Sequence, residues 1–161
     1  MFILVDIENH LNDYFPLDEI NFDEYDAYKI PFNTYFDEDM NNISLQDQNI
    51  RIGSANIKAI HFSGFGELSN YNDNIRFIFE NGESENVNVF DSCYDTSRNN
   101  INTRWDFIEK SSCQDICSLG VNRKLFCITL ELKKDIQDKK LMYLELPFNP
   151  NIHIFSVTYE I

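Results

Sequence analysis

Aromatic, charged and amide side chains occur together between residues 91 and 106, in a combination that suits sugar recognition. Trp105 and Tyr94 offer flat apolar faces on which the C–H side of a sugar ring can stack. Asp91, Arg98 and Asn99 carry groups that hydrogen-bond hydroxyls. We therefore expect any ligand of this protein, a carbohydrate first of all, to bind through the segment 91–106.

A structural role for the same residues is equally compatible with their types. Trp105 is the only tryptophan of the chain, so its ring can instead fill one end of a hydrophobic core. Arg98 and Arg104 would then lie in solvent. Residue types alone leave both interpretations open.

Four cysteines raise the question of a metal site or a disulfide framework. Cys113 and Cys117 are separated by three residues, and the sequence has no CxxC pair to complete a tetrahedral zinc site with them. Cys93 and Cys127 stand apart. We expect four reduced thiols, no bound metal and no cofactor.

The first 48 residues form a strongly acidic region, with twelve acidic residues against Lys29 alone. Asp37, Glu38 and Asp39, with Asn41 or Asn42, offer oxygen ligands of the kind that Ca²⁺ prefers. The run lacks the alternating ligand spacing and the glycine of an EF-hand loop. We therefore expect a solvated acidic surface here, with calcium binding as the alternative.

Catalytic chemistry is not indicated by any local motif. The sequence contains no glycine-rich phosphate loop, no GxSxG and no HExxH. His153 shares the alternation of Phe155, Val157 and Tyr159, which predicts a buried structural histidine. Because no partner nucleophile is marked near it, we expect the protein not to be an enzyme.

Composition limits the class of protein and its partners. The 161 residues include 43% hydrophobic side chains, enough for one folded domain over residues 1–161. A net charge of −14 disfavours nucleic acid and anionic membranes. The N-terminal MFILVDIENH lacks the basic residues and the apolar length of a signal peptide, so we expect a cytoplasmic location. The oligomeric state stays open.

Alternating hydrophobic residues predict an all-β fold with little helix. In 74–80 Ile75, Phe77 and Phe79 share one face, and Asn81-Gly82 follows with the residues of a tight hairpin turn. We expect eight to ten antiparallel strands, with a strand-poor stretch from Asp91 to Asn122. Besides 74–80, 85–89 and the final strand, the predicted strands are 2–7, 27–30, 49–52, 56–62, 125–132 and 140–146.

The C-terminal run LMYLELPFNPNIHIFSVTYE resembles the last part of small bacterial β-sandwich domains with the galactose-binding-like jelly-roll fold. Segments upstream are similar to the same family: VDIENHLND, YKIPFN (28–33), IKAIHFSGFGE (57–67) and IRFIFENGESENVNV. The chain departs from the family after the hairpin, where FDSCYD (90–95) carries Tyr94 in place of a tryptophan.

The resemblance implies an antiparallel jelly-roll sandwich that acts as a non-catalytic module, often attached to carbohydrate-active enzymes. A carbohydrate-binding module is therefore the first functional expectation. The alternative is an intracellular protein-interaction module, which would use the acidic face or self-association. A concave cleft would favour a sugar, whereas a flat exposed apolar patch would favour a protein.

Overall fold

The computed structural model describes residues 1–33, 35, 39–66, 73–88, 107–120 and 123–161. These residues contain ten strands, one short α-helix, α1 (Phe22–Asp26), and two 3₁₀ helices (Glu8–His10 and Leu17–Glu19). The strands are β1 (Phe2–Leu4), β2 (Ile43–Gln46), β3 (Asn49–Asn56), β4 (Ala59–Gly66), β5 (Asn74–Phe79), β6 (Ser84–Asn88), β7 (Ile108–Leu119), β8 (Arg123–Leu132), β9 (Lys140–Glu145) and β10 (Phe148–Glu160).

The described strands form two antiparallel sheets, which confirms the predicted all-β class. The large sheet has the order β1-β10-β4-β8-β7, and β2 also pairs with β10. The small sheet has the order β3-β9-β5-β6. Pairing of β1 with β10 places the two ends of the chain side by side.

A hydrophobic core joins residues from both sheets. Phe62 and Val157 of the large sheet belong to one buried cluster with Phe77 and Leu144 of the small sheet, and all four are fully buried. Successive side chains along a strand point to opposite faces, so each of these four strands turns one face towards this core.

The β5–β6 hairpin confirms the clearest local signal of the sequence. Gly82 has a φ of 85°, and its amide donates to the carbonyl of Phe79 over 3.0 Å. The Asn81 side chain accepts from the amide of Glu83 over 3.0 Å. The turn residues therefore do what the Asn-Gly pair predicts.

Other strand predictions are correct in part. Strands β3, β8 and β9 cover the predicted segments 49–52, 125–132 and nearly all of 140–146. Segment 56–62 spans the end of β3 and the start of β4, and 2–7 is a strand only to Leu4. Segment 27–30 is not a strand, and β2 was not predicted.

Strand β7 corrects the prediction of a strand-poor stretch from 91 to 122, since 108–119 is a twelve-residue strand. Cys113 and Cys117 thus lie on a strand and not in a loop. The strand escaped prediction because it forms an edge with register shifts after Ile108 and after Asp115. Its residues therefore do not alternate regularly between apolar and polar.

The second face of the large sheet is covered by N-terminal residues 15–32, called here the N-terminal cover. Phe15, Ile20, Tyr25 and Ile30 from this cover are buried in a second hydrophobic cluster. The strands contribute Phe65, Ile116, Cys117, Leu119, Leu125, Cys127 and Phe155 to the same cluster. The large sheet is therefore the middle one of three layers.

Hydroxyl groups of β10 hold the end of this region in place. The Ser156 hydroxyl accepts from the amide of Asn33 over 2.8 Å, and the Thr158 hydroxyl donates to the carbonyl of Pro31 over 2.6 Å. Both side chains are fully buried. The polar face of β10 thus lies against residues 31–33. A simple alternation of apolar and polar residues would have predicted this face to be in solvent.

A register shift between Ile154 and Ser156 changes which face each β10 side chain occupies. Phe155 belongs to the cluster beneath the N-terminal cover, whereas Val157 and Tyr159 belong to the core between the sheets. The predicted common face of these three residues is therefore wrong. A bulge that re-aims side chains is invisible to a period-two pattern.

Gly64 gives the first testable prediction. A Cβ at this position would lie 2.4 Å from the carbonyl oxygen of His153, and Gly64 is paired on both sides, with Ile154 and Phe126. Because neither neighbour can move freely, Gly64→Ala should lower the free energy of unfolding by about 3 kcal/mol, at the upper end for overpacking.

Urea unfolding followed by fluorescence measures this change. Gly82→Ala is the control, since a Cβ there meets no atom within 4 Å and adds only the strain of its positive φ, about 1 kcal/mol. Equal stability of the two variants would show that β4 and β10 do not approach as closely as described.

Candidate functional site

The predicted binding residues Asp91, Tyr94, Arg98, Asn99 and Trp105 lie outside the described residues, as does Cys93. The described chain resumes at Phe107, whose position is fixed by the small sheet and by the loop that follows β8. Its amide donates to a Glu85 carboxylate oxygen over 2.8 Å, and its carbonyl accepts from the amide of Lys133 over 2.9 Å.

A cavity of about 650 Å³ opens on the outer face of the large sheet, where β8 continues into residues 133–139. We call it the His61 groove. Strands β4 and β8 supply Ala59, His61, Thr129 and Glu131 to it. The other lining residues are Lys58, Glu109, Leu132, Lys133, Lys134, Asp135, Gln137 and Glu160.

The groove begins where the contacts of the large sheet with the N-terminal cover end. Thr158, which bonds the carbonyl of Pro31, is paired directly with His61, and His61 is paired with Thr129. The next paired residues with side chains on the same face, Ala59 and Glu131, line the groove. The groove is thus the part of the outer face that residues 15–33 leave open.

Residues 133–139 form a firmly held rim. Ile136 is buried in the core, and the Gln137 side chain donates to the carbonyl of Leu132 over 2.8 Å. The amide of Leu132 in turn donates to the carbonyl of Lys58 over 2.8 Å. A rim held by such contacts is suited to present its side chains in fixed positions.

His61 is the buried polar residue of the groove, with 4% of its surface exposed. Its Nδ1 lies 2.8 Å from the Thr129 hydroxyl, and its buried Nε2 makes no hydrogen bond to any described residue. Burial lowers the pKa of His61 to about 4, Glu160 opposes the shift, and Lys29 adds to it. The imidazole is therefore neutral at physiological pH.

Charged side chains of both signs line the groove. Lys58, Lys133 and Lys134 supply three ammonium groups, and four carboxylates come from Glu109, Glu131, Asp135 and Glu160. Of these, Glu131 also lies 3.9 Å from Lys110, with both side chains about half exposed. The site thus offers hydrogen-bond donors and acceptors together, without a large excess of one sign.

A second polar cluster surrounds His153, which confirms that this histidine is buried. Its Nδ1 lies 2.8 Å from the Asn42 side-chain oxygen and 3.2 Å from an Asp13 carboxylate oxygen. The ring stacks on Phe65 with centroids 4.8 Å apart. His153 therefore connects β10 to Asp13 and Asn42.

The Asn41 side chain shows why these asparagines are poor candidates for a calcium site. Its oxygen accepts from the amide of Phe15 and from the Asn42 side chain, while its nitrogen donates to the carbonyl of Phe15. Asn41 and Asn42 are fully buried. Of the three predicted carboxylates, Asp39 is exposed and Asp37 and Glu38 lie outside the described residues.

Within the part of the chain that the structure describes, no group of three or more His, Cys, Asp or Glu side chains is placed to hold a metal ion. Cys117 and Cys127 are buried beneath the N-terminal cover. Burial raises the pKa of Cys117 to about 12 and also raises that of Cys127. Their thiols are therefore protonated and poor nucleophiles.

The groove was not found from the sequence, although a signal for it exists. His61 and Thr129 are polar residues on the outer faces of two strands, β4 and β8, whose inner faces are apolar. Pairing of these strands, which brings the two residues together, cannot be known before the fold is known. Local sequence therefore marked each residue only as one position of a strand.

No protein-family model matches the sequence, and no curated protein matches it. The resemblance to galactose-binding-like domains therefore stays an expectation. Among the described residues, no helix has both the length and the apolar character needed to span a membrane.

The lowered pKa of His61 predicts a specific pH dependence of stability. Between pH 6.5 and about 4 the histidine binds a proton in the unfolded chain but not in the folded one. The contribution of His61 to the free energy of unfolding is therefore fully present above pH 6.5 and is lost as the pH falls to about 4. A shift from 6.5 to about 4 corresponds to on the order of 3 kcal/mol.

Urea unfolding of the wild type and of His61→Phe at pH 7.5 and 4.5 isolates this contribution, because all other titrating groups are shared. The wild type should lose more of its free energy of unfolding than the variant on acidification, by roughly 2 kcal/mol or more. Parallel losses in both proteins would contradict the buried neutral state of His61.

Proposed function

We propose that this protein is a non-catalytic binding domain of the galactose-binding-like jelly-roll type. Three features support the fold type: a large sheet packed on a smaller one, fully antiparallel pairing, and a first strand that pairs with the last. The C-terminal resemblance falls on β9 and β10, so it coincides with strands of both sheets.

The proposed ligand is a carbohydrate, and the observation that carries this proposal is the His61 groove. The groove is concave, it is built on paired strands and a held rim, and it presents donors and acceptors of both kinds. Sugar hydroxyls act as donor and acceptor at once, so they can use such a lining fully.

Phe107, the first described residue after the predicted segment 91–106, is bonded to the rim of this groove. Lys133, whose side chain lines the groove, donates its backbone amide to the carbonyl of Phe107. Glu109, two residues further along β7, is also part of the lining. We propose that Trp105 and Tyr94 supply the aromatic surface that a sugar site needs and that the described lining lacks.

A non-catalytic role agrees with the chemistry of the groove. The hydroxyl that lies 2.8 Å from Nδ1 of the imidazole belongs to Thr129, on a central strand of the large sheet. A nucleophile for group transfer would have to reach a substrate carbon while bonded to its base. Burial lowers the pKa of His61 to about 4, so the imidazole is a weak base for activating this hydroxyl.

A protein-interaction module is the second candidate, and the exposed acids of the N-terminal region favour it. Asp18, Asp23 and Asp26 are exposed on this outermost layer. Glu19 and Glu24 differ, because they bond Arg123 and the amide of Ser118 respectively. A basic partner would meet the three aspartates first.

One binding comparison separates the two candidates. Trp105→Ala is expected to weaken carbohydrate binding at least tenfold, because stacking on an indole is a main source of affinity for a sugar ring. The double variant Asp18→Lys and Asp26→Lys should bind as the wild type does, since neither residue lines the groove. A glycan array followed by calorimetry measures both.

Tyr14→Ala is the control for loss of an aromatic side chain, because Tyr14 is 52% exposed and is not part of the groove. If Trp105→Ala leaves affinity unchanged while the charge-reversed variant loses it, the carbohydrate proposal should be replaced by the protein-interaction module.

A further inference from the structure

We infer that the His61 groove takes a neutral sugar, one without carboxylate or phosphate groups, and that a hydroxyl of this ligand hydrogen-bonds to Nε2 of His61. The inference rests on the proposed carbohydrate function and adds a ligand class and a specificity-determining residue to it.

One ring nitrogen of His61 is unused by the fold. Its Nε2 is buried and has no hydrogen-bond partner among the described residues, which is unfavourable for a polar atom. A phenylalanine would fill the same space without that cost. A ligand hydroxyl that reaches Nε2 gives the histidine a purpose that the fold itself does not require.

Nε2 of His61 can act as a hydrogen-bond donor or as an acceptor. Its Nδ1 faces the Thr129 hydroxyl, which can donate or accept, and the Cys127 sulfur lies 3.7 Å from the same oxygen. Either neutral tautomer of the imidazole is therefore satisfied at Nδ1. The opposite Nε2 can thus donate to a sugar hydroxyl or accept from it.

The charge of the groove lining favours a neutral ligand. Four carboxylates and three ammonium groups give the groove a net charge of −1, within a chain of net charge −14. An anionic ligand would meet repulsion from the whole molecule as well as from the four carboxylates. A neutral polyol can instead bond both kinds of group, so it suits this lining better.

Because Nε2 is buried, a ligand can reach it only if a neighbouring side chain moves, and Phe2 packs against the same imidazole. Its ring packs edge-on against His61 with centroids 5.7 Å apart, and the residue is 41% exposed. It lies on β1, a three-residue edge strand paired only with β10. An exposed side chain on such a strand can change rotamer quickly.

The test titrates the full chain with cellohexaose, xylohexaose, mannohexaose and galactohexaose, and with hexagalacturonate as the acidic comparison. At least one neutral hexaose should bind, with an affinity that changes less than threefold between 50 and 500 mM NaCl. In the bound state the ¹⁵N chemical shift of His61 Nε2 should move, a readout that needs no variant.

His61→Phe should weaken that binding at least tenfold while its urea midpoint at pH 7.5 stays equal to or above that of the wild type. His10→Phe, a half-buried histidine outside the groove, is the control and should bind normally. Phe2→Ala should bind at least as tightly as the wild type, because it removes a side chain that packs against the imidazole.

The possible failures are distinguishable. If none of the sugars binds the wild type, the proposed function falls and this inference with it. If a neutral hexaose binds but the Nε2 shift and the His61→Phe affinity do not change, only the role of His61 is overturned. Preference for hexagalacturonate with a steep loss of affinity in salt would overturn the neutral ligand class.

Discussion

Strand β4 is buried along its whole length and on both faces, and the arrangement of the other layers follows from this constraint. Ile60 and Phe62 face the small sheet, whereas Phe65 faces the N-terminal cover. A strand at the centre of the large sheet with apolar residues on both faces needs a layer on each side. The N-terminal cover is therefore as necessary to the fold as the second sheet.

Polar contacts decide where that cover lies and where it stops. Ser156 and Thr158 hold Asn33 and Pro31, and the network of Asn41, Asn42 and His153 holds the backbone of Phe15. The side chains of Asn41, Asn42, His153, Ser156 and Thr158 are buried, so a polar group that loses its partner here is left unsatisfied. Beyond Thr158 such anchors end, and the sheet face opens into the His61 groove.

Sequence patterning predicted the parts of the fold that depend on neighbours along the chain. Asn81-Gly82 and the alternation around Phe77 specify a hairpin locally, and β8 shows the same alternation from Ile128 to Leu132. The bulge in β10 and the irregular edge strand β7 were missed, because register shifts in their pairing break the period-two pattern.

The N-terminal cover and the groove could not be predicted from the sequence, because both depend on contacts between distant segments. Residues 15–32 show no sustained period, since they are mostly irregular chain that follows the surface of the sheet. Nothing local in the sequence brings Asn33 to Ser156, 123 residues away. The groove exists only because of where this cover ends, so local patterns could not indicate it.

The N-terminal cover forms a structural layer on β4 and β10. Amide hydrogen exchange followed by NMR tests it directly at Phe15 and Asn33, whose amides donate to the buried side chains of Asn41 and Ser156. Both amides should exchange at least about 100-fold more slowly than in an unstructured peptide. Exchange at the unstructured rate at both positions, with Phe62 still protected, would contradict the three-layer account.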